Sequence, residues 1–169
     1  MKAFMRVKLW GVLLLVTPLL LGGCADAIVS AVKSVFSLQT AKVWLEKVCF
    51  KASNDVNDGS PVTVHILIIY KPDLLAELSK MDSDAYFQKA TQIKTDNPED
   101  LDLFKYDIIR GQKLDNVPIT PSKVSGEGVL IFARYSSPGA HRVAVGSEKE
   151  IIIQLDKLDF KIIPAIPTK

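Results

Sequence analysis

Apolar and polar side chains alternate with a period of two along most of this chain, the mark of strands half-buried in a sheet. Over residues 41–52, Trp44, Val48, Phe50 and Ala52 share one face, with Glu46 as the exception. From Val62 to Tyr70, Val62, Val64, Ile66, Ile68 and Tyr70 lie on one side and Thr63, His65, Leu67 and Ile69 on the other. Leu101 to Ile109 sets Leu101, Leu103 and Lys105 against Asp102, Phe104, Tyr106 and Ile108. A short extended piece lies among the turn residues Asp115-Asn116 and Pro118 to Pro121. Glu127 to Tyr135 aligns Val129, Ile131, Ala133 and Tyr135, and His141 to Val145 is short and extended. Lys149 to Leu155 turns Ile151, Ile153 and Leu155 inward, and Leu158, Phe160 and Ile162 continue that pattern to Pro164. Between these runs stand clusters of turn formers: 53–60 (SNDVNDGS), 136–139 (SSPG) and Gly146-Ser147.

One stretch breaks the two-residue period. Pro72-Asp73 opens a helix carrying Leu74, Leu75 and Leu78, and Asp82 or Ser83 caps a second helical piece through Ala85, Tyr86, Phe87 and Ala90. Thr95 to Asp100 (TDNPED) ends it. Seven or eight short strands with one helical insertion predict a mainly β chain, an antiparallel β-sandwich.

The first forty residues have a different texture. Lys2, Arg6 and Lys8 precede a mostly apolar run from Leu9 to Leu21, which is the anatomy of an export signal. The run is too short for a span of roughly 20 apolar residues. It closes on Leu21-Gly22-Gly23-Cys24, which resembles the lipobox of bacterial lipoproteins. That resemblance implies cleavage before Cys24 and a diacylglycerol on its thiol. Ala25 follows, with Asp26 one place beyond the position of the enteric inner-membrane retention signal, so the implied destination is the outer membrane, facing the periplasm. The expected organisation is a signal over 1–23, a lipidated tether over 24–40, a sandwich over 41–164 and a tail over 165–169. In the tether, Ile28, Val29, Val32, Val35 and Phe36 recur at helical spacing, so it reads either as a short amphipathic helix or as a flexible connector.

Charge and cysteine content narrow the function classes. Three of the 21 basic residues belong to the signal, leaving 18 against 19 acidic ones, a balance that suggests neither nucleic acid nor strong electrostatic steering. With Cys24 lipidated, Cys49 is a lone thiol in the run Val48-Cys49-Phe50, expected buried as a small hydrophobe.

Candidate chemistry is sparse. His65 and His141 have no second ligand at metal spacing and are expected to be structural or solvent-facing. Asp55, Asp58, Asp82 and Asp84 match no EF-hand loop, and there is no G-x-S-x-G elbow, P-loop or dinucleotide fingerprint. The chain is therefore expected not to be an enzyme, and to use no metal and no cofactor beyond the covalent lipid.

The run Asn54-Asp55-Val56-Asn57-Asp58-Gly59-Ser60-Pro61-Val62-Thr63-Val64-His65-Ile66, behind a lipobox and followed by a helical insertion, resembles TssJ, the outer-membrane lipoprotein family of type VI secretion systems. The family's Trp-Arg pair appears here as His141-Arg142, its aromatic-glutamine-leucine after the second strand as Ile69-Tyr70-Lys71, and the lead-in from Cys24 to Thr40 is long. The resemblance implies a transthyretin-like sandwich that holds the periplasmic domain of the inner-membrane protein TssM, with TssL in the same complex. It also assigns partner binding to the loop Asn54, Asp55, Val56, Asn57, Asp58, Gly59 and Ser60. Two other readings stay open: a pilotin-like or other envelope assembly lipoprotein, and a sandwich that binds a small ligand, which needs a pocket of exposed aromatics, whereas Trp44, Tyr106 and Tyr135 are expected to be core or half-buried strand residues.

Overall fold

A computed structural model describes residues 45–165. The signal, Cys24, the tether, Trp44 and residues 166–169 of the tail lie outside the described residues.

Among the described residues, eight strands and two α-helices follow in chain order: β1 (Lys47–Ala52), β2 (Val62–Ile69), α1 (Pro72–Leu78), α2 (Ser83–Asp96), β3 (Leu101–Ile108), β4 (Lys113–Pro118), β5 (Gly128–Arg134), β6 (Arg142–Val145), β7 (Glu150–Leu155) and β8 (Phe160–Pro164). They form two four-stranded sheets, ordered β4-β1-β7-β8 and β3-β2-β5-β6. The inward residues read from the alternation meet in one core: Val48, Phe50 and Ala52 of β1, Val62, Val64, Ile66 and Ile68 of β2, Val129, Ile131 and Ala133 of β5, and Ile151, Ile153 and Leu155 of β7. Each large side chain fully buried there contributes about 1.5–3 kcal/mol.

The pairing is not wholly antiparallel. β1 and β7 run parallel, in register from Lys47↔Glu150 to Ala52↔Leu155, which corrects the all-antiparallel expectation. A period of two tells which face of a strand is buried but carries no information on the direction of its neighbour.

The helical insertion forms a third layer. β2 is buried on both faces, because Leu67 and Ile69 point away from the sandwich into a second core with Leu101, Leu130 and Phe132, closed by Leu74, Leu75, Leu78, Tyr86 and Ala90 from the helices. Pro72 begins α1 at a position where its missing N–H costs nothing. Asp82 caps α2 by accepting from the Ala85 N–H at 2.8 Å. The close approach of α1 needs Gly128, since a Cβ there would stand 2.6 Å from a Leu75 methyl. α2 runs on to Asp96, six residues past Ala90, and its last-turn Lys94 donates to the carbonyls of Pro98 and Leu101, tying the helix end to β3.

Two further expectations are corrected. Cys49 is half-buried rather than buried. With Val48 and Phe50 facing in, alternation turns Cys49 to the outer side of the sheet, where its Sγ accepts from the Asn116 N–H at 3.4 Å. Leu158 does not continue the inward row. It is 58 % exposed in the β7–β8 turn, because the turn closes with the Asp156 N–H donating to the Asp159 carbonyl and restarts the alternation at Phe160.

Candidate functional site

The loop between β1 and β2 leaves the sheet at Ser53, whose N–H donates to the Leu155 carbonyl and whose own carbonyl accepts from the Gly111 N–H. Three consecutive residues then have positive φ: Asn57 at 45°, Asp58 at 51° and Gly59 at 86°. Asn and Asp tolerate this left-handed region better than other side chains, and glycine enters it freely. A tight left-handed turn results, and holding two non-glycine residues there costs on the order of 1–3 kcal/mol each.

Two inward side chains hold the turn. Val56 is fully buried in the sandwich core. Asn57 is 5 % exposed, and its side chain works in both directions: Nδ2 donates to the Pro61 carbonyl at 3.2 Å and Oδ1 accepts from the Ser136 N–H at 2.8 Å. The family resemblance implies seven residues for partner binding, Asn54 to Ser60. The fold turns Val56 and Asn57 into its interior, and Asn54, Asp55, Asp58, Gly59 and Ser60 remain exposed.

Neighbouring turns brace this one. Asp58 pairs with Lys157 of the β7–β8 turn at 3.2 Å, a surface contact worth little by itself. Ser137 of the β5–β6 turn donates through Oγ to the Leu158 carbonyl at 2.6 Å. The Tyr135 hydroxyl lies 3.2 and 3.1 Å from the carbonyls of Asp156 and Asp159, and burial raises its pKa. His141 stacks on Tyr135, with Nδ1 2.9 Å from Asp159 Oδ1 and Nε2 2.7 Å from the Ser137 carbonyl. One end of the sandwich is therefore a braced platform on which five exposed residues stand, four polar ones and Gly59, with backbone and side-chain hydrogen-bonding groups facing outward.

Both histidines sit inside the fold. His65 faces the helices, 6 % exposed, with Nδ1 2.9 Å from the Tyr86 hydroxyl and the Phe87 ring beside it. Burial, with Lys105 and Arg134 nearby, lowers its pKa to about 4, so it is neutral at ordinary pH. Arg142 donates through Nη1 to the Met81 carbonyl and holds the turn between the two helices.

As expected of strand residues, Tyr135 is buried and Tyr106 is half-buried and packs against Phe50. Among the described residues an open groove of about 560 Å³ lies near the starts of β1 and β7, lined by Glu46, Lys47, Asn116, Glu148, Lys149 and Glu150 among others, with no aromatic wall. No three His, Cys, Asp or Glu side chains converge on a common point among the described residues. Sequence reading missed Ser136 and Lys157 as supports of the loop, because each belongs to a turn distant in the chain and lacks a local signal.

No family model matches the sequence, and no curated protein matches it. Solved structures do share its fold. The T6SS lipoprotein TssJ1 from Pseudomonas aeruginosa superposes with a TM-score of 0.58 at 12 % identity, covering 76 % of this chain and 100 % of that one. Serratia marcescens Lip, a membrane bound component of the Type VI Secretion System, gives 0.54 at 15 % identity, covering 70 % and 97 %. A chain from a structure of the T6SS protein TssM C-terminal domain (869–1107) from EAEC gives 0.52 at 13 % identity, covering 69 % and 98 %. At these identities the likeness is one of fold, and the fold of this chain is the one seen in the TssJ-type lipoproteins of type VI secretion.

Proposed function

We propose that this chain is an envelope lipoprotein of a type VI secretion system. Cys24, carrying a lipid, anchors it to the outer membrane, and its sandwich grips the periplasmic domain of a TssM-like inner-membrane protein, with TssL in the same assembly. It acts as a scaffold, with no reaction of its own and no cofactor apart from the lipid. The observation that carries this reading is the braced left-handed turn at 57–59, which presents Asn54, Asp55, Asp58, Gly59 and Ser60 at one end of a rigid sandwich. Holding unfavourable backbone dihedrals in a surface loop suits a role in recognition. The fold shared with TssJ structures supports the same reading.

The test replaces Asn54, Asp55 and Ser60 by alanine and Asp58 by glycine, which enters the left-handed region freely, and leaves Val56 and Asn57 in place. The variant should keep its unfolding temperature and lose capture of the TssM periplasmic domain in a pull-down. Undiminished capture removes the loop from the interface. Palmitate labelling should disappear in Cys24→Ala, and labelling that survives would dismiss the lipid anchor.

A further inference from the structure

A two-sheet sandwich has four edge strands, and unpaired edges invite association. Three of the four here are blunted. β4 is kinked where Asn116 takes φ 54° and its register with β1 shifts, and it ends in Pro118. β6 has only four residues. β8 has five and ends in Pro164. β3 is different: eight residues, no proline or glycine, and unbroken register with β2 from Val62↔Ile108 to Ile69↔Leu101.

The free groups of that edge can be identified. The Tyr70 N–H donates to the Asp100 carbonyl, so in the alternating ladder the even-numbered residues of β3 bond to β2 and the odd-numbered ones point away from it. The Leu101 carbonyl already accepts from Lys94. Leu103, Lys105 and Asp107 are left with outward N–H and C=O groups. On the sandwich side Phe104 and Tyr106 are only partly buried, and just past the strand Ile109 is 56 % exposed.

We propose that β3 pairs antiparallel with β3 of a second copy of this chain, centred on Tyr106. Odd residues must face odd residues, which restricts the register to centres on whole positions. Centring on Lys105 sets Lys105 against itself, and centring on Asp107 sets Asp107 against itself, both unfavourable. Centring on Tyr106 places Lys105 opposite Asp107 twice by symmetry, joined by ladder hydrogen bonds. It also places Phe104 opposite Ile108 and Leu103 opposite Ile109, with Arg110 opposite Asp102 at the ends. The segment 102–110 (DLFKYDIIR) is thus self-complementary in charge and hydropathy about its midpoint. Ile109 contributes its side chain only, because its N–H and carbonyl are taken by Gln112. The contact is isologous, covers the exposed Ile109 and closes the open edge.

Two exposed substitutions test this without touching the core. Lys105→Asp and Asp107→Lys each put like charges across both symmetric pairs, and each should weaken self-association at least about tenfold. Mixed together, the two single variants regain complementary pairs and should form a heterodimer, and the double exchange within one chain should restore the homodimer. Sedimentation equilibrium of the full chain in density-matched detergent reads all four cases. A second readout is Tyr106→Cys in a Cys49→Ala background, where the two Cα atoms of a non-hydrogen-bonded pair stand about 4.5 Å apart, within disulfide range. A wild-type chain that stays monomeric to its solubility limit, single variants as dimeric as the wild type, or a mixture that fails to associate would each overturn the proposal. A monomeric wild type would leave the edge to a strand from another protein or to solvent.

Discussion

Asn57 and Ser136, 79 positions apart, are joined by a 2.8 Å hydrogen bond from the Ser136 N–H to the Asn57 side chain. One amide thereby ties the β1–β2 turn to the β5–β6 turn. Asn57→Ala removes both side-chain bonds, leaves partly buried groups unpaired and puts a less tolerant residue at φ 45°. The expected loss is on the order of 1–3 kcal/mol, read as a lower urea midpoint at unchanged slope. Asn57→Asp keeps the acceptor for Ser136 and should lose less.

His65 makes stability fall on the acid side. Its folded pKa is about 4 against 6.5 when unfolded, so the unfolded chain takes up a proton first as pH drops. The contribution is whole above pH 6.5 and is lost as pH falls through about 4, a change of roughly 3 kcal/mol. His65→Gln should flatten this part of the stability–pH curve relative to the wild type. An identical slope between pH 6.5 and 4 in both proteins would show that His65 does not carry it.

Arg142 holds the turn between α1 and α2 through the Met81 carbonyl, a contact between positions 61 apart. Its loss in Arg142→Ala should cost about 1.5–3 kcal/mol, as expected for a hydrogen bond to a charged group. Because Ser83 is separately held to Ala133 and Ala140, the damage should be local. Hydrogen exchange should speed up at amides around Ser79 to Met81, with β2 and β5 unchanged.

Much of this architecture is legible in the sequence because burial and period coincide. Every sandwich-facing position of β1, β5 and β7 could be read from alternate residues, and the helix starts from Pro72 and from the pair Asp82-Ser83, whereas Leu130 and Phe132, buried on the other face of β5, were not. What resisted reading was set by neighbours far along the chain. The parallel partner of β1 lies about a hundred residues away, and the outward place of Cys49 follows from its strand's face rather than from its apolar flanks. Within the candidate loop, a string of Asn, Asp, Gly and Ser looks uniformly solvent-facing. Only the fold shows that Asn57 is a buried strut and its neighbour Asp58 a surface residue, since both share the left-handed conformation that composition suggests.

β1 lies inside its sheet, with β4 on one side and β7 on the other. The chain enters it from the N-terminal side and leaves it directly into the left-handed turn. In the proposed anchor, tension between membrane and partner would therefore run lengthwise along a single strand. Such a pull shears both flanking ladders at once and cannot peel them open bond by bond, which makes this strand the tie rod of the domain.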